Sequence, residues 1–430
     1  MRHRTIRWKF IKIFSNLSFS IMLLLTICFM SVLGTIIEQN KTIDYYQLKY
    51  PMHNSNLLSI DWKIITNYKL DEVYTSWIFL SLLFFFGLSL ITCTFSTQLP
   101  SLKNARRWKM KQHIKNPDIV HDQSNYNNIT QSLPLYALNK AGYYTFYQQF
   151  SIYGYKGLSG RVGPIFVHMS IILLLIGSLA SLFGSFYIQE MVPVGEDFSM
   201  HNITNAGIFS KIPNNITGQV QNFKIDYYDN QSIKQFYSSL YLKKQNTDKI
   251  ITQTIEVNKP LHFEGLTIYQ TDWKINGLRL KISDNSIQIP IQELNTNSTK
   301  TWFTSVVYSN DQRISLLISS NNDNINCYNE KGILLQSLQI GKEYTINHIP
   351  IEIVSVLTST GLQIKADPGI NIIYGSFGAL MLSTLTSYIS FSQIWIVKHN
   401  RYLYMQGKTN RAQINFEKDI SRIRQYLIES

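Results

Sequence analysis

His168 is the one histidine of nine that falls inside a long charge-free apolar run. An ionisable ring in hydrocarbon is costly, which makes such a position functional by default. Two roles fit the residue type. A neutral imidazole is a good axial ligand for haem iron, and it is equally satisfied by one interhelical hydrogen bond. Six residues past Val162, it lies about 9 Å into a helix. One imidazole covers one face of a haem, so bis-histidine ligation calls for a nitrogen from a second protein. His399, just beyond the fourth run, approaches only if the helix end bends inward. Arg161 precedes His168 by about two helical turns. An arginine there anchors a helix at the headgroups, or contacts a propionate or phosphate.

Elsewhere the chemistry is sparser. His262 and Asp272 flank Gly265, Tyr269 and Gln270, with Trp273 next along the chain; residues this dense line a cleft or fill a sheet face, and the aromatic content favours the core. His201 and His348 have no ligand pattern beside them. Asp367 before Pro368-Gly369 reads as a helix cap. No Gly-x-Ser-x-Gly, His-Glu-x-x-His or paired-carboxylate arrangement points to a hydrolase. Cys28, Cys93 and Cys327 form no CxxC pair, which argues against thiol exchange.

The elements that position these residues are set by charge-free runs at 17–37, 73–100, 162–189 and 368–397. Each is long enough to cross a hydrocarbon layer about 30 Å thick. They predict an integral membrane protein with four transmembrane α-helices, at 18–37, 76–96, 163–184 and 370–391. The five basic residues before Leu17 resemble a secretory signal, but the apolar run lacks a convincing small-residue cleavage site, so the first helix reads as retained. Gly34, Gly177, Gly184, Gly375 and Gly378 are candidates for close helix approach.

Loop charges alternate. The arm 1–16 has five basic and no acidic residues, 97–161 has nine against two, and the tail 392–430 seven against three. By contrast 38–75 has four against five, and 185–367 fifteen against seventeen. The positive-inside rule puts the first three on one side, here called inner, and the large domain on the outer side. The net charge of +13 is thereby accounted for by orientation and gives no reason to expect nucleic acid.

The outer loop 38–75, with Tyr45, Tyr46, Trp62 and Tyr68, reads as a short amphipathic segment. The inner segment 97–162 opens with Lys103, Arg106, Arg107, Lys109, Lys111 and Lys115, a patch suited to anionic lipid headgroups; after the Asn-rich stretch 123–129, residues 133–158 predict a small β-like element. Across 185–367, Ile287-Gln288-Ile289 and Ile349-Pro350-Ile351 alternate with period two. Asn276-Gly277 between Trp273–Ile275 and Leu278–Ile282 predicts a hairpin. A large, mostly β domain between spans three and four follows, expected as one antiparallel sandwich of about 180 residues.

Several motifs resemble the ResB/CcsB family, the non-cysteine-rich membrane component of system II cytochrome c biogenesis. They are Gly34-Thr35-Ile36-Ile37-Glu38-Gln39, Tyr74-Thr75-Ser76-Trp77, Ser89-Leu90-Ile91-Thr92-Cys93-Thr94, Gly157-Leu158-Ser159-Gly160-Arg161-Val162-Gly163-Pro164 with His168, Asn258-Lys259-Pro260-Leu261, and Asp367-Pro368-Gly369. The resemblance implies a subunit of a haem-attachment complex with a CcsA/ResC-type partner, acting on apocytochrome c, with haem b as a transported or transiently bound ligand. It implies His168 as a haem ligand paired with a partner histidine. A scaffold that binds no haem is the alternative role. It also implies a plastid thylakoid membrane with a lumenal large domain, or a cyanobacterial membrane.

Overall fold

A computed structural model describes residues 2–52, 61–111, 118–122, 132–228, 233–245, 247, 249–283, 285–296, 299–309, 312–319, 325–346, 349–399 and 402–428. The Asn-rich stretch 123–129, Lys115 and His348 lie outside them. The chain folds as two units, Met1–Ser178 with Ile370–Ser430, and Leu179–Gly369.

Among the described residues four helices are long and apolar enough to cross a membrane, and the chain is a multi-pass membrane protein. Span one is Leu17–Ile36, begun by Asn16, whose side chain accepts from the Ser18 amide at 3.0 Å. Span two is Trp77–Cys93, begun by Ser76 in the same way; such caps satisfy amides that the helix leaves without partners. It runs on through a π-helical turn, Thr94–Gln98, into the helix Leu99–Arg106. Span three is Ser159–Gly184 and span four Ile370–Ser387. Span three therefore begins four residues before the sequence reading, taking in Arg161, and span four stops four residues short of it.

Gly160 and Gly163 bring spans three and four together: a Cβ on Gly160 would stand 1.8 Å from the Ile389 carbonyl oxygen, and one on Gly163 2.5 Å from the Ser387 Cα. Small residues at a helix contact permit this approach. Gly34 and Gly177 are similarly crowded, by Tyr74 and Ile373. Gly375 and Gly378 face open space, so the expectation of close approach fails for them.

The loop after span one has a small core of Ile37, Tyr46 and Ile65. Gln39 ties it down, donating to the Ile37 and Leu70 carbonyls and accepting from the Val73 amide. The aromatic inner segment forms a helix, Ser132–Lys140, and the strands Tyr144–Gln148 and Ser151–Lys156. Its sheet is completed by the tail strands Ser392–His399 and Tyr402–Thr409 and by Asp118–Asp122, all antiparallel. The tail helix Gln413–Ile428 covers it through Ile423 and Leu427.

In the second unit the prediction of one sandwich is corrected to three antiparallel sheets around two apolar cores. The strands Leu266–Ile282 and Ile349–Ala366 pair along nearly their whole length and serve both cores. Ile268 and Ile364 lie in one core, Leu280 and Ile353 in the other. The predicted hairpin at Asn276-Gly277 is likewise overturned, because these residues sit inside the first long strand at a register shift. Gly277 is required there by close approach, since a Cβ would come 2.4 Å from the Ile289 carbonyl oxygen. An Asn-Gly signal for a turn thus marks a bulge in a strand paired on both sides.

Candidate functional site

Thr94 holds His168. The Thr94 hydroxyl donates to the Leu90 carbonyl at 2.7 Å, the usual backbone partner of a helical threonine. Having spent its proton, its oxygen accepts from His168 Nδ1–H at 3.0 Å. With the Thr94 proton directed at Leu90, the matching tautomer carries its proton on Nδ1 and leaves Nε2 with the lone pair. A second hydrogen bond that orients a ring and raises its basicity is the usual support of a metal-binding histidine. The π turn begins at Thr94 itself, and such turns recur at functional sites.

His168 lines a cavity of about 300 Å³ with Gln98, Arg161, Pro164 and Arg411. Arg161 donates to the Ser101 hydroxyl at 3.2 Å and lies 5.3 Å from the Phe391 ring. Its Nε is buried with no hydrogen-bond partner among the described residues. Arg411 donates to the Ser387 carbonyl at 2.8 Å, capping the last turn of span four. Two of the sequence candidates, His168 and Arg161, are therefore brought to one cavity.

A larger cavity, of about 600 Å³, shares Arg161 and Asn410 with the first and is lined also by Lys109, Lys111, Trp395 and Lys408. Lys111, assigned from sequence to lipid headgroups, is partly buried, donating to Gln406 Oε1 at 2.7 Å with its ammonium 4.0 Å from the Trp395 ring centre. Thr94 and Arg411 escaped the sequence reading; Thr94 stands in a quoted motif, but only the fold brings it to His168.

His399 ends a strand, twelve residues after span four closes. The idea that a bent helix end delivers it is corrected: its backbone is fixed by pairing with Tyr402. In the β unit, His262 is exposed, its Nδ1 3.1 Å from the Thr267 hydroxyl. The Tyr269 ring lies 5.0 Å from the Lys365 ammonium. Trp273 is buried in a core, 5.5 Å from Trp302 and 6.1 Å from Phe223 between ring centres. These three form no common cleft. Asp367 caps as expected, accepting from the Gly369 amide at 3.0 Å, and from the Ser181 hydroxyl at 2.6 Å. Among the described residues no group of three or more His, Cys, Asp or Glu side chains could hold a metal ion.

Comparison with known proteins gives these residues a context. A cytochrome c biogenesis protein Ccs1 of Pyropia yezoensis is 46% identical over 425 residues, spanning 98% of this chain and 96% of its own. The Ccs1 protein of Porphyra purpurea is 44% identical over 98% of this chain and 97% of its own. A cytochrome c biogenesis protein CcsB of Crocosphaera subtropica is 39% identical over 95% and 92%. A solved cytochrome c haem lyase, CcmF, aligns over 86% of this chain and 39% of its own at 8% identity and a TM-score of 0.23, too low to indicate a shared fold. The ResB-like family profile matches residues 17–322 and 314–421, so that all four spans, the β unit between them and the His168 cavity fall within it: the chain belongs to the ResB-like family.

Proposed function

We propose that this chain is a membrane subunit of the machinery that attaches haem to apocytochrome c, and that it takes haem as cargo at His168. The naming of its relatives as cytochrome c biogenesis proteins supports the pathway. The observation that carries the site is the bond from His168 Nδ1 to Thr94, which leaves Nε2 as the ligating nitrogen of a residue lining a cavity.

The donor set suits haem. Nε2 is a neutral nitrogen of the kind that ligates haem iron, and the buried, unpartnered Nε of Arg161 suits a propionate. Bound there, haem would supply the vinyl groups that become thioethers. This chain's own part is coordination and positioning: Thr94 holds the ring, Pro164 and Val167 line the cavity wall, and Arg161 and Arg411 provide positive charge. Among the described residues no second histidine lies in a membrane helix, so the other axial nitrogen is assigned to a partner of the CcsA/ResC type.

The alternating loop charges support an inner, stromal or cytoplasmic position for this cavity and a lumenal one for the β unit, in a thylakoid or cyanobacterial membrane. The β unit would then offer a docking surface to apocytochrome c. One-sided labelling of a cysteine at Gln245 checks this orientation; labelling from the inner face contradicts it.

The bond between His168 and Thr94 also joins spans two and three, which favours, as a second reading, a scaffold that touches no haem. His168→Leu separates the two, since it keeps apolar volume while removing both ligation and the hydrogen bond. The haem-handling reading expects a complex of normal abundance with loss of retained haem and of cytochrome c maturation. Loss of the partner before any loss of haem, or normal maturation by a stable complex, refutes it.

A further inference from the structure

The larger cavity gathers cations. Lys109, Lys111, Lys408 and Arg161 line it, and among the described residues that line it there is no Asp or Glu. The hydrogen-bond and ring partners found for these cations are neutral: Gln406 and Trp395 for Lys111, Ser101 and Phe391 for Arg161. Burial, then repulsion from Lys408 and Lys109, holds the Lys111 ammonium below the usual lysine value. Elsewhere in the same unit Lys156, although partly exposed, is paired with a carboxylate, Asp419, at 2.9 Å. Grouped cations without a counter-ion oppose one another, and an anion placed among them makes short, charge-assisted hydrogen bonds. The buried Nε of Arg161, without a hydrogen-bond partner, is an independent sign of a missing acceptor.

Two further features limit what that anion is. Trp395 and Phe391 are among the residues lining the same space, which suits a molecule with an apolar body. Arg161 and Asn410 stand in the walls of both this cavity and the His168 cavity. We propose that the larger cavity is an anion site that receives the carboxylates of the same tetrapyrrole whose iron His168 takes, so that Lys111, Lys408 and Arg161 select a free dicarboxylate over an ester. The inference rests on the haem-handling reading of His168. Its chemistry is nevertheless separate, because it concerns carboxylates and not iron. An anionic phospholipid offers a phosphate of similar charge and is the rival source.

Metal-free protoporphyrin IX tests the site without any iron to ligate. It is titrated by fluorescence into the full-length protein in neutral detergent, beside its dimethyl ester. The free acid is expected to bind wild type, and to bind a Lys111→Gln, Lys408→Gln double variant roughly tenfold more weakly, the scale of lost charge-assisted bonds. The double variant Lys111→Arg, Lys408→Arg keeps the charges and should restore binding, which separates ligand recognition from misfolding. Equal binding of acid and ester, or undiminished binding by the Gln variant, overturns the proposal. So does displacement of the porphyrin by phosphatidylglycerol with lysine-dependent lipid retention, which assigns the cavity to a headgroup. If instead the haem reading of His168 is wrong, the iron spectrum will not depend on His168, while the carboxylate preference persists.

Discussion

The two units use their buried polar groups differently. In the β unit a central network is consumed by the fold, although Trp302 Nε1 and Glu190 Oε2 are buried without a partner among the described residues. Gln270, in the orientation that satisfies its amide, donates to the Ile255 and Phe236 carbonyls and accepts from Ser238 and Thr360, all within 3.3 Å. The Trp273 ring is spent on packing. In the span-bearing unit polar groups are left over: the Nε of Arg161 has no partner, and the His168 ring is held by one nitrogen beside a cavity. Burial of a polar or aromatic residue is therefore not by itself a mark of function. Nor is an unpartnered buried atom alone, since Trp302 Nε1 lies inside an apolar core; at Arg161 and His168 the unused hydrogen-bonding capacity borders a cavity.

That contrast predicts stability effects in one unit and ligand effects in the other. Trp273→Ala should cost about 3–5 kcal/mol, as truncation of a large core aromatic does. Pulse proteolysis of the full chain in detergent measures it; a change within about 0.5 kcal/mol, typical of surface positions, would show that Trp273 is available for binding after all.

Thr94→Val keeps shape while removing the acceptor for Nδ1–H. Loss of such a supporting bond typically weakens a metal site roughly 10- to 100-fold, so haem affinity should fall by that order with little change in thermal stability. Thr94→Ser should restore it. Equal affinity in the Val and wild-type proteins would remove Thr94 from the site.

The smallest effect concerns Glu264. Hydrogen bonds from Lys244 at 2.7 Å and Lys249 at 2.6 Å hold its carboxyl down at about 2, from an ordinary value of 4.5. A carboxylate with a lowered folded pKa stabilises in full above its unfolded pKa, and that contribution fades as pH falls from 4.5 to about 2. Glu264→Gln should therefore lie slightly below wild type in melting temperature at neutral pH and converge with it in acid. A gap that stays constant with pH would assign the effect to packing.

The membrane architecture was legible because hydrocarbon imposes a crude rule, roughly 20 apolar residues without charge, and four runs obey it. His168 was legible for the same reason, as an ionisable group breaking that rule. The tail sheet was hidden, because Ser392–His399 finds its partner in Ser151–Lys156, more than 200 residues away in sequence. Asn276-Gly277 misled because local turn chemistry was overridden by pairing on both edges of the strand. Thr94 and Arg411 carry no pattern of their own; only helix packing and a returning tail set them beside His168.

The central claim is that His168 offers Nε2 to haem iron. Its most direct test is the absorption and low-temperature electron paramagnetic resonance spectrum of haem bound to the full-length protein with its partner, compared between wild type and His168→Ala at equal complex abundance. The account predicts a low-spin bis-nitrogen spectrum in wild type, its loss in the Ala variant, and partial recovery on adding imidazole. A stable His168→Ala complex that keeps the wild-type haem content and axial-ligand spectrum would contradict it.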